Sequence, residues 1–206
     1  LEPADPEELI SIIYTSGTTG MPKGVMHSIR NFANATYNLN YDIHLVKHPR
    51  FFSYLPLSHI AERIGIENQA FLLGASMTFA DTLDSFASDL EETQPDLFFA
   101  VPRIWAKFQE KIREGLPQKK LNVLLKVPFL GKVLKNKIRQ KLGLSKAKYI
   151  VSGAAPLSVS LMNWFKKLDI EILQGYGMTE DCVISHLNLP TVNKIGSVGR
   201  KTYGAQ

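Results

Sequence analysis

Six short apolar runs, each separated from the next by a helical pattern, constrain this chain's fold more than any other feature. The runs are Leu9 to Tyr14, Phe51 to Tyr54, Ala75 to Ala80, Asp96 to Val101, Ala147 to Ser152 and Ile170 to Gln174. They are rich in β-branched and aromatic residues and too short for buried helices, so they read as strands. The stretches between them carry helical periodicity at Ser28 to Asp42, His59 to Leu73, Thr82 to Thr93, Pro102 to Gly115, Gly131 to Leu142 and Pro156 to Leu168. Pro102 and Pro156 fall where a first-turn proline is tolerated. Strand, helix, strand in succession implies an α/β fold, a mostly parallel sheet with helices on both faces. With 206 residues and 45% hydrophobic content the chain can bury a core in one large domain or two small ones.

The first run leads into Tyr14-Thr15-Ser16-Gly17-Thr18-Thr19-Gly20-Met21-Pro22-Lys23-Gly24-Val25. Glycines let the backbone curl so that consecutive N–H groups converge on one anion, hydroxyls add donors, and Lys23 adds a mobile positive charge. That is the composition of a phosphate cradle. It differs from the nucleoside-triphosphatase loop, which needs Gly-Lys-Ser/Thr five residues after its first glycine, where this chain has Pro22. A solvated linker has no need of glycine and threonine in this order, closed by Pro-Lys-Gly. This loop and the turns at Gly153 and Gly175 all follow strands, so they are expected along one edge of the sheet, where α/β proteins place ligands.

Other chemistries find little support. Gly175-x-Gly177 lacks a dinucleotide pattern, because Glu180 stands at the third glycine position, and no Gly-x-Ser-x-Gly elbow exists. His44 and His48 are four residues apart but lack the glutamate of a zinc-protease helix, so they read as surface residues. Cys182 is the only cysteine, which excludes an internal disulfide and suits a reducing cytoplasm. With no metal-ligand spacing or neighbouring histidine in sequence, it reads as a small buried filler. No apolar run approaches the roughly 18 residues needed to cross a bilayer.

The positive charge is concentrated. Residues 103–148 hold 14 Lys/Arg against only Glu110 and Glu114, while the rest of the chain is net acidic. From Leu121 to Leu144, residues Leu130, Leu134, Ile138 and Leu142 recur every four positions between basic residues, as in an amphipathic helix. The basic side is either a solvated face or a surface for anionic lipid or the phosphates of CoA. Nucleic acid is not indicated, because the aromatics are not interleaved with the basic residues.

Three further motifs follow the phosphate loop, about 40, 95 and 20 residues apart: Leu55-Pro56-Leu57-Ser58-His59-Ile60-Ala61-Glu62-Arg63, Val151-Ser152-Gly153-Ala154-Ala155-Pro156-Leu157 and Gln174-Gly175-Tyr176-Gly177-Met178-Thr179-Glu180. In this order the four resemble the core motifs of the adenylate-forming enzymes, the AMP-binding superfamily, over nearly the whole chain. Val101-Pro102-Arg103-Ile104-Trp105-Ala106-Lys107-Phe108 and the basic helical insert after it resemble the long-chain acyl-CoA synthetase branch.

The resemblance implies ATP-dependent activation of a long-chain fatty acid to an acyl-adenylate and then to acyl-CoA, with Mg2+ and with CoA as co-substrate. It implies that Thr15, Ser16, Gly17, Thr18, Thr19, Gly20 and Lys23 hold the triphosphate. Glu180, assisted by Thr15, would hold the metal, and Thr179 would bond the α-phosphate. Tyr176 would lie against adenine, with Gly153 and Ala154 giving it close approach and Gln174 and Gly175 supplying backbone around it. His59 would sit beside the reacting carboxylate. Phe71, Leu72, Leu73, Gly74, Ala75 and Phe79 read equally well as an acyl tunnel or as core. By the same resemblance residues 1–206 form the central part of the large N-terminal adenylation domain. Ile195-Gly196-Ser197-Val198-Gly199-Arg200 begins the next motif, and the C-terminal lid domain, with its adenylation lysine, is expected outside this chain. Two other functions fit the same residues: a non-catalytic nucleotide- or acyl-binding module, and an adenylating enzyme that loads a carrier protein.

Overall fold

The computed structural model describes residues 3–16 and 20–205. Gly17, Thr18 and Thr19 of the expected phosphate cradle lie outside the described residues.

Seven strands form the main sheet: β3 (Arg50–Ser53), β4 (Ser76–Phe79), β5 (Leu97–Ala100), β6 (Tyr149–Ser152), β7 (Leu173–Tyr176), β8 (His186–Leu187) and β9 (Arg200–Lys201). Their order is β4-β3-β5-β6-β7-β8-β9. Strands β3 to β7 run parallel, whereas β8 and β9 add to the β7 edge in antiparallel fashion. The chain leaves β3 for β4 on one side and returns to β5 on the other, so the winding direction reverses at β3. A crevice opens at the carboxyl ends of strands at such a switch point.

Side-chain alternation along these strands builds two cores, one on each face. Phe52, Phe98, Ala100 and Ile150 point to one side. Phe51, Leu97, Tyr149 and Leu173 point to the other. The first face is covered by α4 (Phe86–Thr93), α5 (Pro102–Gly115), α6 (Gln118–Lys126), α7 (Pro128–Lys141) and α8 (Val159–Lys166). The second is covered by α1 (Ile29–Ile43) and by α3 (Asn68–Leu73), which continues the short α2 (Ile60–Glu62) through a π-turn at Arg63–Glu67. Trp105 anchors the first core. It is fully buried, meets Phe98, Phe108 and Phe165 edge-on at centroid distances of 5.7, 5.9 and 5.4 Å, and donates its Nε1–H to the Ala100 carbonyl at 3.2 Å.

The structure departs from the sequence expectations in two places. The first run does not join the main sheet: β1 (Leu9–Thr15) pairs in antiparallel register with β2 (Lys23–Ser28), giving a separate two-stranded hairpin. Ile13 of β1 and His27 of β2 are buried beneath it, while Ile12, Tyr14 and Met26 face outward. An apolar run alone does not reveal whether both of its faces are covered.

The second departure is in the basic segment, where α7 matches the helix expected at Gly131 to Leu142 but a further helix, α6, precedes it. Pro128, which has no N–H to continue the ladder, opens α7 at its first turn, and the chain bends at Val127. Within α7 each four-residue step advances the row by about 40°, so Leu130 in the first turn is half exposed, whereas Leu134, Ile138 and Leu142 pack on the first core.

Trp105→Ala should cost about 3–5 kcal/mol of stability, because it empties the middle of the aromatic cluster. Leu130→Ala should cost under about 1 kcal/mol, as an exposed position does. Urea unfolding of both variants checks the difference; equal losses would place Leu130 in the core.

Candidate functional site

A cavity of about 270 Å³ opens beside the carboxyl ends of β6 and β7. Each strand delivers a turn to it. After Ser152 the chain turns through Gly153 and Ala154, the latter in the left-handed region at φ 65°. A side chain at Gly153 would press on the Phe99 ring at 3.1 Å, so the turn lies close over β5.

After Tyr176 the chain folds back on itself. Val183 N–H donates to the Met178 carbonyl at 2.9 Å, Met178 N–H to the Asp181 carboxylate at 2.7 Å, and Cys182 N–H to the Thr179 carbonyl at 3.2 Å. Cys182 and Val183 both adopt positive φ, 55° and 59°, a costly conformation for a β-branched residue. A Cβ at Gly177 would lie 2.3 Å from the Val183 backbone, which leaves room only for glycine.

His59 comes from the third side. It caps α2, its Nδ1 accepting the Ala61 N–H at 3.2 Å. Burial lowers its pKa, so the ring is neutral at pH 7, and with Nδ1 occupied as an acceptor its proton sits on Nε2. The ring lines the cavity. His59 is therefore a neutral donor there.

The cavity floor is apolar. Leu39 and Ile43 of α1, Leu97 and Phe99 of β5, Val151 of β6 and Leu187 of β8 form it, with Gly65 of the π-turn at its wall. A Cβ built on Gly65 meets nothing within 4 Å, so this glycine leaves open volume. π-turns of this kind recur at functional sites.

Of the residues singled out by sequence, His59, Gly153, Ala154, Gly175, Tyr176 and Thr179 line this one cavity. Tyr176 is half exposed and offers a ring face. Gln174 does not line it: the residue is buried, and its main-chain carbonyl is taken by the backbone N–H and the Nδ2 of Asn188, both at 3.1 Å. Thr15, Ser16, Gly20 and Lys23 stand apart on the hairpin, with Lys23 exposed, and so do not share the sheet edge with the Gly153 and Gly175 turns. Glu180 is exposed next to Thr179. Phe71 and Phe79 face outward at 81% and 63% exposure, and none of the residues from Phe71 to Phe79 reaches the cavity. Leu73 and Ala75 pack on the second core instead.

The hairpin is nonetheless tied to the site. Ile13 packs with Ile60, Ile64 and Cys182. His27 Nδ1 lies 3.5 Å from Cys182 Sγ, a partner 155 residues away that no spacing could have shown. Burial pushes the thiol up to about 11, with Asp181 adding to the rise, so Cys182 is an inert buried group. Burial also lowers the pKa of His27, against the charge of Glu180 and the Thr179 carbonyl, so Glu180 lies within electrostatic reach of the hairpin.

Sequence reasoning missed three further residues. Asn188, fully buried, donates to the Ser197 carbonyl at 2.6 Å and accepts the Lys194 N–H at 2.9 Å, pinning the 189–199 loop to β7. Asp42, buried on α1, accepts from Arg200 at 3.2 Å and from the Tyr203 N–H at 2.8 Å, holding Thr202 against the cavity. Glu62, one turn behind His59, is 1% exposed. Asp42 lies at the end of α1, Glu62 ends α2 and Asn188 follows β8, and no spacing in the sequence marks any of them.

Fold and site together define an α/β protein whose cavity is lined by turns at the carboxyl ends of parallel strands. Residues 1–206 match the AMP-binding enzyme family, and the chain belongs to it. It is 32% identical over 94% of its length to long chain acyl-CoA synthetase 5 of Arabidopsis thaliana, covering 33% of that protein. It is 33% identical over 98% of its length to the long-chain-fatty-acid--CoA ligase ACSBG2 of Xenopus laevis, covering 32% of that protein. The chain thus spans about a third of the length of the curated relatives it matches. Among solved structures, the N-terminal domain of FACL13 from Mycobacterium tuberculosis superimposes with a TM-score of 0.68 at 26% identity, over 98% of this chain and 46% of that one. The anthranilate CoA ligase AuaEII shares the fold at a TM-score of 0.73 and 23% identity, over 99% of this chain and 36% of that one. The mostly parallel sheet flanked by helices expected from sequence is thus the fold of adenylate-forming enzymes.

Burial raises the Glu62 carboxyl to about 7, against the Ser53 hydroxyl and Leu55 N–H that favour its charge, and with Glu67 adding to the rise. Between its ordinary value of 4.5 and about 7 the folded chain holds a proton that the unfolded chain has lost, so stability falls as pH rises through that window. Glu62→Gln keeps the shape without the titration. Its melting temperature should gain on the parent's as pH rises from 4.5 to 7, by an amount worth at most about 3 kcal/mol. Parallel curves for the two proteins across that range would show that this carboxyl does not titrate there.

Proposed function

We propose that the cavity is where ATP and a long-chain fatty acid meet, and that the protein carrying this chain activates the acid to an acyl-adenylate and passes it to CoA. The observation that carries this reading is the cavity's division. An apolar floor suited to an acyl chain lies beneath a polar mouth made of the turns after β6 and β7 and the ring of His59. The relatives, a long chain acyl-CoA synthetase and a long-chain-fatty-acid--CoA ligase by name, suggest the acid and the acceptor.

In the first half-reaction a carboxylate oxygen attacks the α-phosphorus, the bond from that phosphorus to the bridging oxygen breaks, and pyrophosphate leaves with its electrons. In the second, the CoA thiol gives its proton to solvent and its sulfur attacks the acyl carbon, the bond from that carbon to the phosphate oxygen breaks, and AMP leaves with its electrons. No protein nucleophile is needed; positioning and charge complementarity do the work. His59 donates its Nε2–H to the oxygens at the reacting centre without adding a charge that would require solvation. Thr179 donates to the α-phosphate. The open face of Tyr176 stacks on adenine, which Gly153 and Ala154 let approach. Lys23, with Thr15, Ser16, Gly20 and their neighbours in the hairpin loop, takes the leaving phosphates.

A divalent cation such as Mg2+ would neutralise phosphate charge. The described residues hold no cluster of three His, Cys, Asp or Glu able to cage a metal. Glu180, exposed beside Thr179, fits an ion that takes its other ligands from phosphate and water. Thr15 does not line the cavity with the mouth residues, and its hydroxyl instead faces the Lys23 carbonyl at 3.5 Å.

ATP–pyrophosphate exchange with a panel of fatty acids, followed by thioester formation with CoA, tests the whole reading. Exchange with no fatty acid would remove it, and exchange without thioester would move the acceptor to a carrier protein.

Two sets of variants are informative in the protein as its gene encodes it. Lys23→Ala and Glu180→Ala should each lower kcat by about 10²-fold or more, because both meet charge that builds in the transition state. A loss under threefold would remove the role given to that residue. The second set separates the two halves of the cavity. Tyr176→Ala should raise KM for ATP more than for the acid, while Gly65→Leu should fill the wall and raise KM increasingly with acyl length. Equal changes for both substrates in either variant would indicate a general loss of the pocket.

A further inference from the structure

The α6–α7 pair carries a surface that the adenylation reading does not use. Residues 118–141 hold eight basic side chains and no acidic one, and the chain has no Asp or Glu between Glu114 and Asp169. Two of the lysines are spent on the fold: Lys135 pairs with Asp169 at 2.9 Å and Lys141 with Glu91 at 3.5 Å. Lys119, Lys120, Lys126, Lys132 and Lys137 are exposed and form no ion pair among the described residues.

Between them sits an apolar ridge. Val123, Val127, Phe129 and Val133 are 64%, 42%, 77% and 51% exposed. Helical spacing puts Phe129, Val133 and Lys137 in one row on α7, and Lys119, Val123 and Lys126 together on α6. The opposite faces are held down. Leu121 and Ile138 are in the first core, and Trp164 of α8 donates to Gln118 at 2.7 Å. Gly131 lets the helices meet closely, since a Cβ there would lie 3.1 Å from the Leu125 carbonyl. The pair is thus a fixed platform whose outward side is both basic and apolar.

We propose that this outward face docks on an anionic lipid bilayer, the lysines meeting headgroup phosphates while Phe129, Val127 and Val133 enter the interface. Charge complementarity selects an anionic partner, and the apolar ridge selects among anions. A polyanion such as RNA rewards the lysines but leaves four apolar side chains in water, and a single exposed aromatic gives no stacking series. A bilayer rewards both. Among the described residues no helix is long and apolar enough to cross a membrane, so this contact lies along the surface. Attachment here would hold the acyl cavity near a source of fatty acid.

The test uses the protein as its gene encodes it, with an environment-sensitive dye on Val133→Cys and, as control, on Val192→Cys, a position 57% exposed and outside the platform. Vesicles of phosphatidylcholine with phosphatidylserine should shift the dye at 133 to the blue and leave that at 192 unchanged. Vesicles of phosphatidylcholine alone should shift neither dye. Added salt should weaken the shift. Phe129→Ser/Val133→Ser and Lys126→Glu/Lys132→Glu should each reduce co-sedimentation with the mixed vesicles by about tenfold or more. Four results would overturn the proposal: vesicle binding with a silent probe at 133; a probe at 133 already shielded before lipid is added, meaning another part of the protein covers the face; no binding to mixed vesicles; or binding to heparin and vesicles alike that ignores the serine substitutions, which would mark a polyanion site.

Discussion

The site depends on one close approach, the backbone of Val183 folding back onto Gly177. With any side chain at 177 the segment after β7 could not close. Cys182 would then not reach His27, and the hairpin would lose the contact that seats it beside Ile60 and Ile64. The same closure sets Thr179 at the cavity mouth and Glu180 outside it. Two left-handed residues, Cys182 and Val183, sustain this return, and the hydrogen bonds from Met178, Cys182 and Val183 offset their strain. Local strain at a functional segment is thus held by contacts on both sides of it.

Burial, more than ion pairing, sets the ionisation of the groups behind the cavity. His59 and His27 are kept neutral by desolvation, the Glu62 carboxyl is raised to about 7, and the Cys182 thiol is kept protonated. The charged groups assigned to phosphate and metal are exposed, Lys23 on the hairpin and Glu180 next to Thr179. Such a division suits the proposed reaction between two anions. Donors that carry no charge can be buried without large desolvation cost, whereas full charges remain where a polyphosphate and its ion can reach them.

The two faces of the sheet serve different ends. One is filled by an aromatic core around Trp105, on which the basic helices ride. The other carries the apolar floor of the cavity, closed by α1 and by the carboxyl-terminal strands that Asp42 and Asn188 pin in place. Asp42 ties α1 to β9 across 158 residues, so the cavity is completed only when the last strands have docked.

Much of this was legible in the amino-acid order, because strand and helix periodicity is local. Five of the six apolar runs became strands of one parallel sheet, and the motifs at His59, Gly153, Gly175 and Tyr176 came together because turns after parallel strands share an edge. Covalent neighbours are enough to mark a strand end, a glycine turn or a proline at a helix start. What covers a strand is not local. The run at Leu9 to Tyr14 looked like the rest but forms a hairpin outside the sheet, and Leu130, on the same helix as Leu134 and Ile138, is left outside the face that α7 buries. Only tertiary packing decided that the cavity floor is drawn from α1, β5, β6 and β8 and not from the run after Phe71. Pairing across 14 to 158 residues, as in Asn188 with Gln174, His27 with Cys182 and Asp42 with Arg200, follows from how the layers meet, which no periodicity encodes.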